Sequence, residues 1–253
     1  MSAHQLTKRF DGLTAVDGVS LDLQDGEMVA VIGPNGAGKT TLFNLFAGAL
    51  QPDEGTLAIA GAAVTGEGAE ARTARGVART FQIPKPFAEM TVLENVLVAA
   101  QGQTGETITG ALFRFSGVAR QERAIRSRAG ELLSFLNLTR LADEPARNLS
   151  GGQRKLLELA RALMSEPKIL LLDEPAAGVN PALMDFIMAR IEEINGDGVA
   201  VLLIEHNMGV VKRLASRVVV MSSGAILAEG LPNTVLADPQ VVAAYLGGAD
   251  EAA

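Results

Sequence analysis

The apolar run Met28-Val29-Ala30-Val31-Ile32 stops at Gly33, and a helical pattern of apolar residues begins at Lys39. Between them lies Gly33-Pro34-Asn35-Gly36-Ala37-Gly38-Lys39-Thr40, which matches G-x-x-x-x-G-K-[ST]. A buried strand feeding a glycine-rich turn and then a helix implies a parallel α/β sheet with a ligand site at the carboxyl end of that strand. The glycines let consecutive backbone N–H groups turn inward around phosphate oxygens. The helix N-terminus adds partial positive charge. Lys39 supplies a point charge for terminal phosphates, and Thr40 offers a hydroxyl to Mg²⁺. Asn35, Gly36, Ala37, Gly38 and Thr41 complete the candidate phosphate-binding set. The plain alternative is a glycine-rich strand–helix turn.

Composition narrows the chemistry. The 253 residues contain no cysteine and two histidines, His4 and His206. Thiolate metal sites, disulfides and cysteine nucleophiles are excluded, and a multi-histidine metal site is disfavoured. The apolar runs Val199–Ile204 and Val218–Met221 fall far short of the roughly 20 residues of a spanning helix. The first ten residues lack a signal-peptide core, so a cytosolic location is expected. A formal charge of −7 argues against bulk nucleic-acid binding. Arg114, Arg120, Arg123, Arg126 and Arg128 form a basic cluster without interleaved aromatics, which reads as a solvated helix face.

Strands are expected at Val19–Leu23, Met28–Ile32 and Thr56–Ala60, and a helix over Lys39–Ala47. The middle reads as helical at Thr91–Ala100, Val118–Leu136 and Leu149–Met164, with a loop-like Gly102–Gly117. Strands at Ile169–Leu172, Val199–Ile204 and Val218–Met221 then alternate with helices at Ala182–Ile194 and Val210–Leu214. This order predicts parallel α/β units flanking a helical insert at 86–162.

Two further motifs join the first. Ile169-Leu170-Leu171-Leu172 ends in Asp173-Glu174, a pair of carboxylates at a strand's carboxyl end. Asp173 is placed to hold Mg²⁺, and Glu174 to polarise an attacking water. Leu149-Ser150-Gly151-Gly152-Gln153 opens a helix with a capping serine and two glycines, a second anion site. Alone, these would read as a strand end and a helix cap.

With all three motifs present, the chain resembles the nucleotide-binding subunit of an ATP-binding cassette transporter over essentially its whole length. The resemblance implies a P-loop NTPase (RecA-like) core at 1–85 and 163–253, with an N-terminal antiparallel β subdomain and an inserted α-helical subdomain at 86–162. It implies an ATPase using ATP and Mg²⁺. Phe10 takes the position of the aromatic that stacks on adenine, and Val16 that of a small apolar residue flanking the base. Gln82, in Thr80-Phe81-Gln82-Ile83, matches the glutamine that contacts Mg²⁺ and water and senses the membrane partner. His206 matches the histidine that hydrogen-bonds the γ-phosphate. Ser150, Gly151, Gly152, Gln153 and Asn180 are implied to reach the ATP of a second subunit. Many family members carry Asp where this chain has Asn180, so one charge is missing there.

Arg79-Thr80-Phe81-Gln82, Glu89–Asn95, Glu174–Pro181, Ile204-Glu205-His206 and Asp238–Gly247 resemble the ATPases of bacterial branched-chain amino-acid importers. That implies permease partners, a second copy or a sibling ATPase, an indirect extracytoplasmic binding protein, and a peripheral place on the cytoplasmic face of the inner membrane. No nucleic-acid partner is expected. Ile83-Pro84-Lys85-Pro86-Phe87 and Met90 are the candidate permease contact. The rival readings are a urea or amide importer, the ATPase of lipopolysaccharide export, and a soluble clamp in DNA repair or translation.

Overall fold

A computed structural model describes residues 1–80, 84–102 and 115–247. The described chain forms two compact units. The first comprises 1–79, 168–177 and 191–253, and the second 80–167 and 178–190.

The first unit holds two sheets. β1 (Ser2–Phe10), β2 (Leu13–Asp22), β4 (Glu54–Ile59) and β5 (Ala62–Ala63) make an antiparallel sheet in the order β2-β1-β4-β5. Asp11-Gly12 joins β1 to β2 with φ of 43° and 91°, the left-handed pair that a tight hairpin demands. The other sheet contains β3 (Met28–Ile32), β6 (Val77–Arg79), β7 (Ile169–Asp173), β8 (Ala200–Ile204), β9 (Arg217–Ser222) and β10 (Ala225–Gly230). Its order is β10-β9-β3-β8-β7-β6. Five strands run parallel, and β10 pairs antiparallel with β9.

β3, β7 and β8 are buried along their whole length. A parallel sheet covered on both faces needs apolar residues at every position, which is why these strands read as unbroken apolar runs. Val29, Val31, Leu171, Leu202, Ile204 and Val219 point to one face and share a core with Phe43 and Phe46 of the Lys39–Phe46 helix and with Leu6, Val19 and Leu57 of the antiparallel sheet. The fully buried Arg72 donates to the carbonyls of Leu45 and Phe46 at the end of that helix, and to Val64 O.

In the second unit the helices Val92–Leu97, Phe115–Phe135 and Gly151–Met164 pack on one another. Leu132, Leu133, Leu156, Leu157 and Leu163 are among its buried residues. The Phe115–Phe135 helix begins before Val118 and takes in the end of the segment read as loop. The rest of that segment, 103–114, including Arg114, lies outside the described residues. The unit is also wider than the expected insert at 86–162. It takes in residues 178–190, where Leu183, in the first turn of the Pro181–Gly196 helix, packs on Gly152 at the start of the Gly151–Met164 helix.

Candidate functional site

Sheet register brings the sequence motifs of the first unit together. Val31 pairs with Ile204, and Ile204 pairs with Asp173, so three neighbouring parallel strands end on one line. The residues just beyond that line are Gly33 to Lys39, Asp173-Glu174 and Glu205-His206.

The glycine-rich loop is shaped by close backbone contacts. A Cβ on Gly33 would lie 2.1 Å from Met221 O, and one on Gly38 would lie 2.1 Å from Ala15 O. Gly38 also has φ 94°. Lys39 is 7% exposed and fills the loop, its Nζ donating to Gly33 O and Pro34 O at 2.8 Å each. Burial pulls its pKa down, and the negative charges of Glu174 and Asp173 push it back up. Asn35, Gly36 and Thr40 are exposed, while Ala37 is buried and Thr41 half-buried. Tyr245, on the Pro239–Gly247 helix, has a buried phenol oxygen without a hydrogen-bond partner among the described residues. Burial raises the pKa of that phenol.

Asp173 is 5% exposed and accepts from Arg79 Nη2 at 3.3 Å. Arg79 Nη1 also donates to Asn44 Oδ1 on the helix that follows the loop. Arg79 therefore ties the end of β6 to both the loop helix and the acidic strand end. Replacing Arg79 by Ala is expected to destabilise the fold by about 1–3 kcal/mol, because a bond to a largely buried charge is lost. Urea denaturation of the variant checks this, and an unchanged midpoint would contradict the role.

Glu174 carries a left-handed backbone, φ 48°, although it is not glycine. Such a conformation costs about 1–3 kcal/mol and persists where the surroundings over-determine it. Here its N–H donates to Ile204 O at 3.0 Å, and its carbonyl accepts from Ala177 N at 3.1 Å. The result aims its side chain at His206, with Nε2 3.0 Å from Glu174 Oε1.

Phe10 ends β1 beside the hairpin turn and is 42% exposed, with Lys8 Nζ 5.6 Å from its ring centroid. Val16 lies on β2. It is 0% exposed and belongs to the core shared by the two sheets. Val19 and Leu21 follow the two-residue alternation of β2, whereas Val16 is out of phase with them and is buried beyond the register shift that separates the Leu6–Val19 pair from the Lys8–Val16 pair. Gln82 lies outside the described residues.

The remaining candidates fall in the second unit. Ser150 is the N-cap of the Gly151–Met164 helix, its hydroxyl accepting from Gln153 N while Gln153 Oε1 accepts from Ser150 N at 2.8 Å. Gly151 is exposed. A Cβ on Gly152 would lie 2.1 Å from Leu183 Cδ2, so this glycine serves packing as well as an open helix start. Asn180 Oδ1 caps the next helix by accepting from Leu183 N at 2.9 Å. Gly152 and Asn180 thus meet on the same leucine.

Sequence reasoning missed Arg79 and Glu205 as site residues. Both lie next to motif positions, yet nothing in their spacing marks a side chain that bridges strand ends.

A phosphate-type loop closed around a buried lysine, with carboxylates and a histidine converging on it, defines a nucleotide-binding ATPase of the P-loop class. The ABC transporter family profile matches residues 16–177, and the chain belongs to that family. A second profile, described as branched-chain amino acid ATP-binding cassette transporter, matches residues 225–251. A probable branched-chain amino acid transport ATP-binding protein LivG of Archaeoglobus fulgidus is 41% identical, covering 99% of this chain and 96% of its own. The high-affinity branched-chain amino acid transport ATP-binding protein BraF of Pseudomonas aeruginosa is 42% identical, with 96% of each chain covered. An ATP-binding cassette of an ABC transporter solved in its ADP conformation superposes with a TM-score of 0.82 at 37% identity, covering 97% of this chain and 98% of that one. A dimeric cassette in a post-hydrolysis state with ADP and phosphate superposes with a TM-score of 0.75 at 26% identity, covering 91% and 98%. Among the described residues no helix is long and apolar enough to cross a membrane.

Proposed function

We propose that this chain is the ATP-hydrolysing subunit of an importer for branched-chain amino acids, working as a dimer against membrane permease subunits at the cytoplasmic face. The observation that carries the cargo is the C-terminal match at 225–251 to the branched-chain amino acid cassette, joined to near full-length identity above 40% with transport subunits of that name. The rival readings draw no support from these relatives.

In this reading Lys39 and the loop amides hold the terminal phosphates, and Phe10 stacks on adenine. Glu174 takes the proton of the attacking water, and His206 supports the γ-phosphate while fixing the Glu174 carboxylate. Preorganised charge of this kind acts without reorganisation during the reaction. The Thr40 hydroxyl and the Asp173 carboxylate are hard oxygen donors, the kind Mg²⁺ takes. Two protein donors suit a cation that arrives with phosphate oxygens and water. When bound, Mg²⁺ would neutralise charge on the transferred phosphoryl group. Gln82 is assigned to the same cation and water. Ser150, Gly151, Gly152, Gln153 and Asn180 are assigned to the ATP of the partner subunit, so each copy supplies half of two sites.

Ile83-Pro84-Lys85-Pro86-Phe87 and Met90 are assigned to the permease contact, with Ile83 outside the described residues. The fully buried Asn95 holds this loop, its side chain donating to the carbonyls of Phe87 and Thr91 and accepting from Phe87 N. Phe87 is left exposed with the Arg161 guanidinium 5.2 Å from its ring centroid. Phe87→Asp should lower transport in reconstituted vesicles by roughly tenfold or more, the scale of an interface hot spot, while the isolated chain still hydrolyses ATP. Loss of both together would count against the contact.

The function itself is tested by reconstituting the chain with its co-purifying permeases and adding leucine, isoleucine or valine with the binding protein encoded alongside. Stimulated ATP hydrolysis and uptake support the assignment. Co-purification with lipopolysaccharide-transport proteins, or with ribosomes or DNA, overturns the cargo or the transporter role respectively.

A further inference from the structure

Glu205 is a buried carboxylate that the proposed reaction does not use. It follows β8, is 3% exposed, and precedes His206. Its Oε2 accepts from His206 N at 3.2 Å and from Asn207 N at 3.4 Å. Its Oε1 accepts from Ala176 N at 3.4 Å, in the turn that follows Glu174. One oxygen thus serves the turn of His206, and the other serves the turn of Glu174. Burial pushes its pKa up, the three N–H groups pull it down, and the nearby Glu174 charge adds to the rise.

The strand ends are joined as far as the Glu174 N–H bond to Ile204 O at 3.0 Å, but the turns beyond them, at 175–176 and 206–207, leave the ladder. Glu174 sits in a strained left-handed conformation, and His206 lies in the short connection between β8 and the Met208–Leu214 helix. Nevertheless, their side chains meet at 3.0 Å. We propose that Glu205 is a positioning residue for hydrolysis, a carboxylate clamp that sets Glu174 against His206 by holding both turns through their backbone N–H groups. The inference rests on the roles proposed above for Glu174 and His206.

Glu205→Gln tests it in the full-length chain with MgATP. The amide keeps one acceptor oxygen and turns an NH₂ donor toward backbone donors, so one turn is released. Misplacement on the scale of an ångström costs up to about a hundredfold in rate. The expected result is a kcat about tenfold to a hundredfold lower, with KM for ATP within about twofold. In a Glu174→Gln background the same change should cost nothing further, since the group it positions is gone. Glu205→Asp, one methylene shorter, keeps its own turn and loses reach to Ala176, so it should fall between. It also carries the test if Glu205→Gln does not fold. Unchanged kcat in the folded variants overturns the inference, as does a rise in KM that accounts for the whole loss. Glu174→Gln and His206→Ala run alongside. If they lose turnover while Glu205→Gln and Glu205→Asp do not, the clamp alone fails. If they keep wild-type turnover, the site reading fails and the clamp with it.

Discussion

Glu174→Gln is expected to lower ATP turnover by at least about a hundredfold, the lower end of what a positioned general base contributes. Nucleotide affinity should stay within a few-fold, because the change does not touch Lys39 and the loop, the groups proposed to hold the phosphates. Glutamine is close to isosteric, so it can keep the hydrogen bond to His206, yet it cannot accept the proton of water. ATP bound between two copies would then persist, and the dimer should accumulate on size exclusion in MgATP. Measuring turnover, nucleotide affinity and dimer fraction in one preparation checks all three. Turnover at the wild-type level would remove Glu174 from the role of base.

Gly38→Ala should be nearly as damaging, for a different reason. At φ 94° alanine is strained, and its Cβ would sit 2.1 Å from the backbone oxygen of Ala15. Ala15 belongs to β2 and cannot swing aside as a side-chain tip would. A destabilisation of about 3 kcal/mol or more is expected, with a Tm lower by roughly 6–12 °C and ATP binding lost. Gly36 provides the internal control. It has φ 77°, but a Cβ there meets nothing within 4 Å. Gly36→Ala should cost only about 1 kcal/mol of backbone strain. Differential scanning calorimetry and nucleotide titration on both variants separate the cases. Equal Tm losses would mean that the contact with Ala15 does not govern the loop.

The Mg²⁺ assignment of Thr40 and Asp173 meets the Arg79 ion pair at one carboxylate. Arg79 steadies Asp173 in the structure described here, and it does so while held by Asn44. The acidic strand end and the loop helix thus share one side chain. Breaking it therefore reports first on fold stability.

What could be read from the chain alone was whatever is written contiguously. Met28–Thr40 announces a strand, a phosphate-type loop and a helix because backbone turn, charge and hydroxyl follow one another in sequence. Leu149–Gln153 announces a capped helix for the same reason, and Leu171-Leu172-Asp173-Glu174 a strand end. Helix limits were less legible. Helical periodicity does not show where the Phe115–Phe135 helix starts, nor that Leu183 belongs with Gly152. The burial of Val16 was not legible either, because it depends on a register shift between β1 and β2 that no local pattern announces. The hydrolytic geometry was decided by tertiary structure. Asp173, Ile204 and Val31 come into line only when β7, β8 and β3 pair in register. Glu205 and Arg79 act across those strand ends, through hydrogen bonds between residues 29 and 94 positions apart. Sequence determines which groups are available and which local turns present them. The distances between those groups belong to sheet register and buried polar contacts, which no local pattern encodes.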